Sequence, residues 1–196
     1  MPAAGGTLVA CALGKEVAAL RRHLEAECSF LVTGVGAHRT RARLEKHFRA
    51  QAPSLFIFTG TAGQLDPALT MGQVVCPEAW CLKGGDCFPA HPGLVEQLRG
   101  LGWEIAGRGL TVSLPVVRAR SRRRLHQRFG ACICDMEAAA ALEVAAAFRI
   151  PCLAPKVVSD TAASGLLAFW SHFDANLRAL AEYLQRLLAS VNPRMP

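Results

Sequence analysis

The sequence has no apolar run of about 18 residues free of charges and breakers, so it offers no helix to span a bilayer. The stretch Met1 to Thr7 has no basic residues ahead of an apolar core and does not read as a secretion signal. There is no internal repeat, and no linker-like composition that would divide the chain. No Cys-x-x-Cys pair is present, the usual mark of a structural zinc site. Acids are scarce, 15 against 22 lysines and arginines, for a formal charge of +7. The basic stretches lack the aromatic interleaving and the motifs of a nucleic-acid binder, so no nucleic-acid partner is expected.

What is present is enough for one globular domain covering 1–196. Of the 196 residues, 52% are apolar, and a chain of this size buries roughly 70% of its unfolded surface. Its eight cysteines are scattered, mostly within apolar runs. Without a secretion signal, they are expected to be reduced thiols of a cytoplasmic protein. Cys76, Cys81, Cys87 and His91 could form a zinc site, but their spacing is wrong for one, and no metal or cofactor is expected. Basic residues concentrate in Arg21–Arg22, Arg39–Arg49 and Arg118–Arg128. They are either solvated helix faces or an attractor for an anionic substrate or membrane.

Short apolar runs alternate with amphipathic stretches, which predicts the α/β class. Strands are expected at Thr7–Leu13, Ser29–Thr33, Leu55–Thr59, Gln73–Cys76, Ala131–Cys134 and Cys152–Val158, with an extended segment at Leu110–Val117. Helices are expected at Glu16–Glu27, Thr40–Ala50, Pro92–Leu101, Arg120–Phe129, Met136–Phe148 and Leu177–Val191. The last has Leu177, Leu180, Leu184 and Leu188 on its apolar face. Trp80 to Pro92 reads as loop, and so does the small-residue stretch after Asp160.

Open α/β sheets place ligands at the carboxyl ends of their strands. Gly34-Val35-Gly36, Thr59-Gly60-Thr61-Ala62-Gly63, Glu137 and Ser159-Asp160 all fall at such ends. Each has an ordinary reading. The first glycine pair lacks the third glycine of a dinucleotide fingerprint. The second motif could be a turn, Asp160 a helix cap, and Glu137 or Glu16 a first-turn acid.

Taken in order, these motifs resemble the purine nucleoside phosphorylase and nucleosidase superfamily. The resemblance rests on Asp135-Met136-Glu137-Ala138-Ala139-Ala140, Val158-Ser159-Asp160-Thr161-Ala162, Thr59-Gly60-Thr61-Ala62-Gly63-Gln64-Leu65, and Ala12-Leu13-Gly14-Lys15-Glu16-Val17. It implies a three-layer αβα sandwich around a central twisted mixed sheet, and a homodimer. It implies hydrolysis of an adenosine derivative substituted at the 5′ position, releasing adenine. Asp160 would protonate the purine at N7. Glu16 would deprotonate the attacking water. Glu137 would hold the ribose hydroxyls and face the sugar cation. Met136 would pack on the sugar, and Thr61, Ala62, Gly63 and Ser159 would line the rest of the site.

Water rather than phosphate is favoured, because Phe56-Ile57-Phe58-Thr59 contains no arginine and Glu16 would repel phosphate. Arg39 and Arg41 keep a phosphorylase as the alternative, and a weakened nucleoside-binding homologue is another. Two departures from the family stand out: Lys156 where arginine is usual, and no aromatic in Thr111–Val117 to stack on the base. The Asp-Met-Glu run and the Val116-Val117 pair resemble the hopanoid-associated branch, whose substrate is an adenosyl lipid. A basic surface would suit peripheral contact with an anionic membrane.

Overall fold

The computed structural model describes residues 5–105, 107–162 and 170–191. Most of the loop expected after Asp160, residues 163–169, therefore lies outside them. The elements run β1 (Thr7–Cys11), α1 (Gly14–His23), β2 (Ser29–Val32), α2 (Ala37–Ala50), β3 (Leu55–Phe58), β4 (Thr61–Gln64), β5 (Val74–Val75), β6 (Ala79–Leu82) and β7 (Cys87–Pro89). They continue with α3 (Pro92–Gly100), β8 (Arg108–Thr111), α4 (Ala119–Phe129), β9 (Ala131–Asp135), α5 (Ala138–Ala147), β10 (Cys152–Leu153), β11 (Lys156–Asp160) and α6 (Phe173–Ser190).

The strands form two hydrogen-bonded ladders, β10-β3-β1-β2 and β5-β11-β4-β9-β8-β6-β7. The first is all parallel, while the second mixes parallel and antiparallel pairs. The ladders are continuous at one place. There β3 passes into β4 through Thr59-Gly60, and β10 into β11 through Ala154-Pro155. The Thr59 hydroxyl donates to the Pro155 carbonyl across this bend, at 2.8 Å.

Strand alternation sorts the core into layers. Val9, Cys11, Leu55 and Ile57 face α1, α3 and α6. Leu8, Ala10, Phe56 and Phe58 face α2 and α5. Helix α5 is alanine-rich and buried along most of its length, because it lies between α2 and the second ladder. A third, smaller cluster puts Leu125 and Phe129 of α4 against Leu110 and Cys134. On α6 the innermost row is Leu177, Leu180, Leu184 and Leu187, not Leu188, which is half-buried.

Two expectations need correcting. The segment from Trp80 is not a loop: β6 and β7 pair as a hairpin. Its Gly and Asp residues supply only the turn. Trp80 is fully buried because its ring covers the backbone of Gly109, where no side chain stands, and its indole N–H donates to the Ala154 carbonyl at 3.1 Å. The cysteines are not all free thiols either. Cys81 and Cys87 face each other in the hairpin register and are joined as a disulfide. This removes both from the zinc grouping. The other six are free, and Cys11, Cys76, Cys134 and Cys152 are buried.

Candidate active site

Where the sheet bends, four strand ends come together. Gly60 has φ of +128°, and a Cβ there would stand 2.7 Å from Glu16 Oε1. Only glycine lets the chain pass between strands with that carboxylate so close. Glu16, in the first turn of α1, is buried. Its Oε1 accepts from the Thr61 N–H and hydroxyl at 2.9 Å each, and its Oε2 accepts from the Leu13 N–H at 3.1 Å.

Met136 and Glu137 precede α5 rather than opening it, since the helix begins at Ala138. The side chain of Asp135 caps it, accepting from the Ala138 N–H at 2.9 Å and from the Thr111 hydroxyl at 2.8 Å. That capping frees the Glu137 side chain. Its Oε1 accepts from the Gly36 N–H at 2.7 Å, so the Gly34–Gly36 turn serves to hold this acid. Burial, and next the neighbouring Asp135, raise its pKa to about 7 against the opposing pull of Lys156 and the Gly36 N–H.

Lys156 is buried and ion-paired with Asp135 at 3.1 Å. Burial alone would lower its pKa, but Asp135, Glu16 and Glu137 more than offset that, and the net shift is upward. One lysine thus serves three carboxylates.

Asp160 ends β11. Its Oδ1 lies 2.9 Å from the donating Ser159 hydroxyl, and its Oδ2 is ion-paired with Arg122 of α4. Arg122 also donates to the carbonyls of Gln64, at 2.9 Å, and of Asp160, at 3.1 Å. Gly63 leaves room for this pair: a Cβ there would come within 3.3 Å of the guanidinium and 3.5 Å of Asp160 Oδ2.

A single cavity of about 310 Å³ is lined by Glu16, Thr61, Ala62, Gly63, Met136, Glu137, Ser159 and Asp160 together. Every site residue expected from the sequence therefore lines this cavity. The volume is at the lower end of the roughly 300–1,000 Å³ usual for small-molecule sites. Larger grooves of about 520 and 840 Å³ adjoin it, but none of these acids lines them.

A sequence model of the phosphorylase superfamily matches residues 5–191. The chain belongs to the phosphorylase superfamily. No curated protein matches it at the level of sequence. Among solved structures, a futalosine hydrolase mutant of Helicobacter pylori superposes with a TM-score of 0.85 at 13% identity, covering 95% of this chain and 100% of that one. The 5′-methylthioadenosine/S-adenosylhomocysteine nucleosidase of the same organism, with butyl-thio-DADMe-Immucillin-A, gives 0.84 at 13% identity, covering 96% and 99%. The Streptococcus pneumoniae nucleosidase in complex with 8-aminoadenine gives 0.83 at 18% identity, covering 95% and 100%. At these identities the likeness establishes the fold.

Sequence reasoning did not place Asp135, Lys156, Arg122 or Trp170 in the site of this phosphorylase-superfamily chain, yet all four line the cavity. Asp135 was within reach, as the strand-end acid before Met136. Arg122 sits in an arginine run that reads as solvated. Its signal is helical spacing, because it shares a face with Leu125 and Phe129, which pack inward. Trp170 comes from the far end of the chain, and no local pattern points to it. Arg39 and Arg41, kept as phosphate ligands, line the larger groove and not the cavity.

Proposed function

We propose that this protein is a purine nucleosidase, hydrolysing the N-glycosidic bond of a nucleoside with an apolar 5′ substituent. The observation that supports this most is the convergence of Glu16, Glu137 and Asp160 on one nucleoside-sized cavity. Bond cleavage builds positive charge on the ribose and negative charge on the departing base. Glu137 faces the first, as an acceptor for the ribose hydroxyls. Asp160, ion-paired with Arg122 in the free protein, must first take up a proton from solvent, and it passes that proton to N7 as the electron pair of the glycosidic bond moves to the purine. Water attacks C1′, and its proton passes to Glu16, which Thr61 and the Leu13 N–H hold in place. Arg122 fixes Asp160 and adds a permanent cation beside the leaving base.

Val35, Val112, Val116 and Val117 also line the cavity and suit an apolar 5′ group. Methylthioadenosine and an adenosyl lipid belong to that class, and S-adenosylhomocysteine shares only the apolar thioether start of its arm. Glu16 on the nucleophile side disfavours phosphate. Val35, Leu114 and Val117 are exposed near the mouth, and we propose that a second copy of the chain or an anionic membrane surface covers them. No helix among the described residues is long and apolar enough to cross a membrane. A cytoplasmic location belongs to the same proposal.

The test is release of free purine from 5′-substituted adenosines and inosines in phosphate-free buffer. Free sugar as the second product supports the reading. An absolute need for phosphate with a sugar phosphate as product would select a phosphorylase instead. Binding without any base release would select the weakened homologue.

A further inference from the structure

The register of β6 and β7 sets Cys81 opposite Cys87, and the two are joined as a disulfide. Their surroundings differ. Cys81 is buried with Leu65, Leu110 and Cys134 in the third core cluster, while Cys87 is exposed. Beside the bond is a small cavity of about 170 Å³ that shares no lining residue with the nucleoside cavity. Both cysteines line it, together with Arg108 at the start of β8 and Arg128 of α4, and no carboxylate does. Among the described residues neither arginine has an ion-pair partner. The Arg128 guanidinium lies 5.3 Å from the centre of the Phe129 ring, and that ring is also part of the cavity wall.

A disulfide opens when a thiolate attacks one sulfur and the other leaves as a thiolate. Two permanent cations act on both ends of that step. They draw an anionic attacker into the hollow, where their field is focused. They also stabilise the negative sulfur that departs, as basic side chains do for any thiolate. Access decides which sulfur is attacked. Cys87 meets solvent, and Cys81 is covered.

We infer that the Cys81–Cys87 disulfide is an exchange site for a small thiol bearing carboxylates, a peptide thiol such as glutathione. Its thiolate bonds to Cys87 Sγ, the bond between the two cysteines breaks, and Cys81 leaves as a thiolate that takes up a proton from solvent. A second thiolate then attacks the mixed disulfide. It carries the first thiol away as the oxidised dimer and leaves Cys87 reduced. The carboxylates of the incoming thiol lie against Arg108 and Arg128.

The test compares glutathione with its diethyl ester, which has the same thiol without the carboxylates. The oxidised full chain is quenched with acid at intervals, alkylated and weighed by mass spectrometry, and rates are expressed per thiolate. Glutathione should react about tenfold faster or more at low ionic strength. The ratio should fall toward parity near 0.5 M salt, where screening reaches only about 4 Å. Arg108→Ser combined with Arg128→Ser should also bring it close to one. Peptide mapping of the earliest samples should find glutathione on Cys87. Equal or faster reaction of the ester overturns the inference, as does a preference that survives high salt. So does a first adduct on Cys81, or eight free thiols before any reductant is added. Nucleoside turnover plays no part in these readings, so their outcome is independent of the proposed hydrolysis.

Discussion

Glu137 has one carboxylate oxygen on the Gly36 N–H and shares a buried space with Asp135, Lys156 and Glu16. Its ordinary value of 4.5 is raised to about 7, which fixes two expectations. Below the ordinary value the carboxyl is protonated whether the chain is folded or not. Between the two values the folded protein keeps a proton that the unfolded chain releases. Its contribution to stability is therefore lost as pH rises through that window. Glu137→Gln should melt close to the wild type near pH 4.5 and be the more stable of the two near pH 8, as urea titrations at both pH values will read. The same ionisation should give the wild type a limb of kcat/KM that rises with pH around 7 and is missing from the variant. At the other acid, Asp160→Asn should slow base release by roughly 100-fold or more in single-turnover assays. Lys156→Met would leave Asp135 buried beside an apolar side chain, and denaturant titration should show a loss of about 3–5 kcal/mol.

At the scale of elements, β8 and the β6–β7 hairpin depend on Gly109. A Cβ there would come within 2.4 Å of the Trp80 ring, and neither partner has room to retreat. Gly109→Ala should cost about 1–3 kcal/mol or more, seen as a lower urea midpoint. Most elements were legible because their patterns are local. The helices over α1, α2, α3, α4 and α6 and the strands β1, β2 and β3 fall where periodicity and breakers put them, within a few residues. The hairpin was not, because Gly84, Gly85 and the flanking prolines signal a turn, while the burial of Trp80 depends on a glycine far along the chain. Met136 and Glu137 were read as helix for a similar reason. Nothing near them tells that Asp135 caps the helix one turn later, and that non-helical backbone is what turns Glu137 toward the glycines of residues 34–36.

At the scale of the whole molecule, the disulfide is the clearest departure from the sequence reading. Denatured protein prepared with thiols trapped should show six free thiols, rising to eight after reduction. Eight before reduction would restore the all-thiol reading and remove the staple from the hairpin. The site followed a different course. Hydroxyls, glycines and acids at strand ends were evident in the sequence, but Glu16, Glu137 and Asp160 were singled out through the resemblance to the superfamily, and the structure brings their side chains to one cavity. The sequence by itself determined the layer pattern as well, because the alternation in β1 and β3 and the apolar stripes of the helices leave few other ways to bury half the chain. Only the tertiary structure decided which charges meet. Arg122 is an ordinary letter in a basic run and Lys156 stands out only as a departure from the family, and each becomes a partner of a carboxylate of the cavity only once the bent sheet brings α4, β9 and β11 around it. The physical reason is that periodicity reports which side of an element is buried, while the partner of a buried charge is set by contacts between residues distant in the chain.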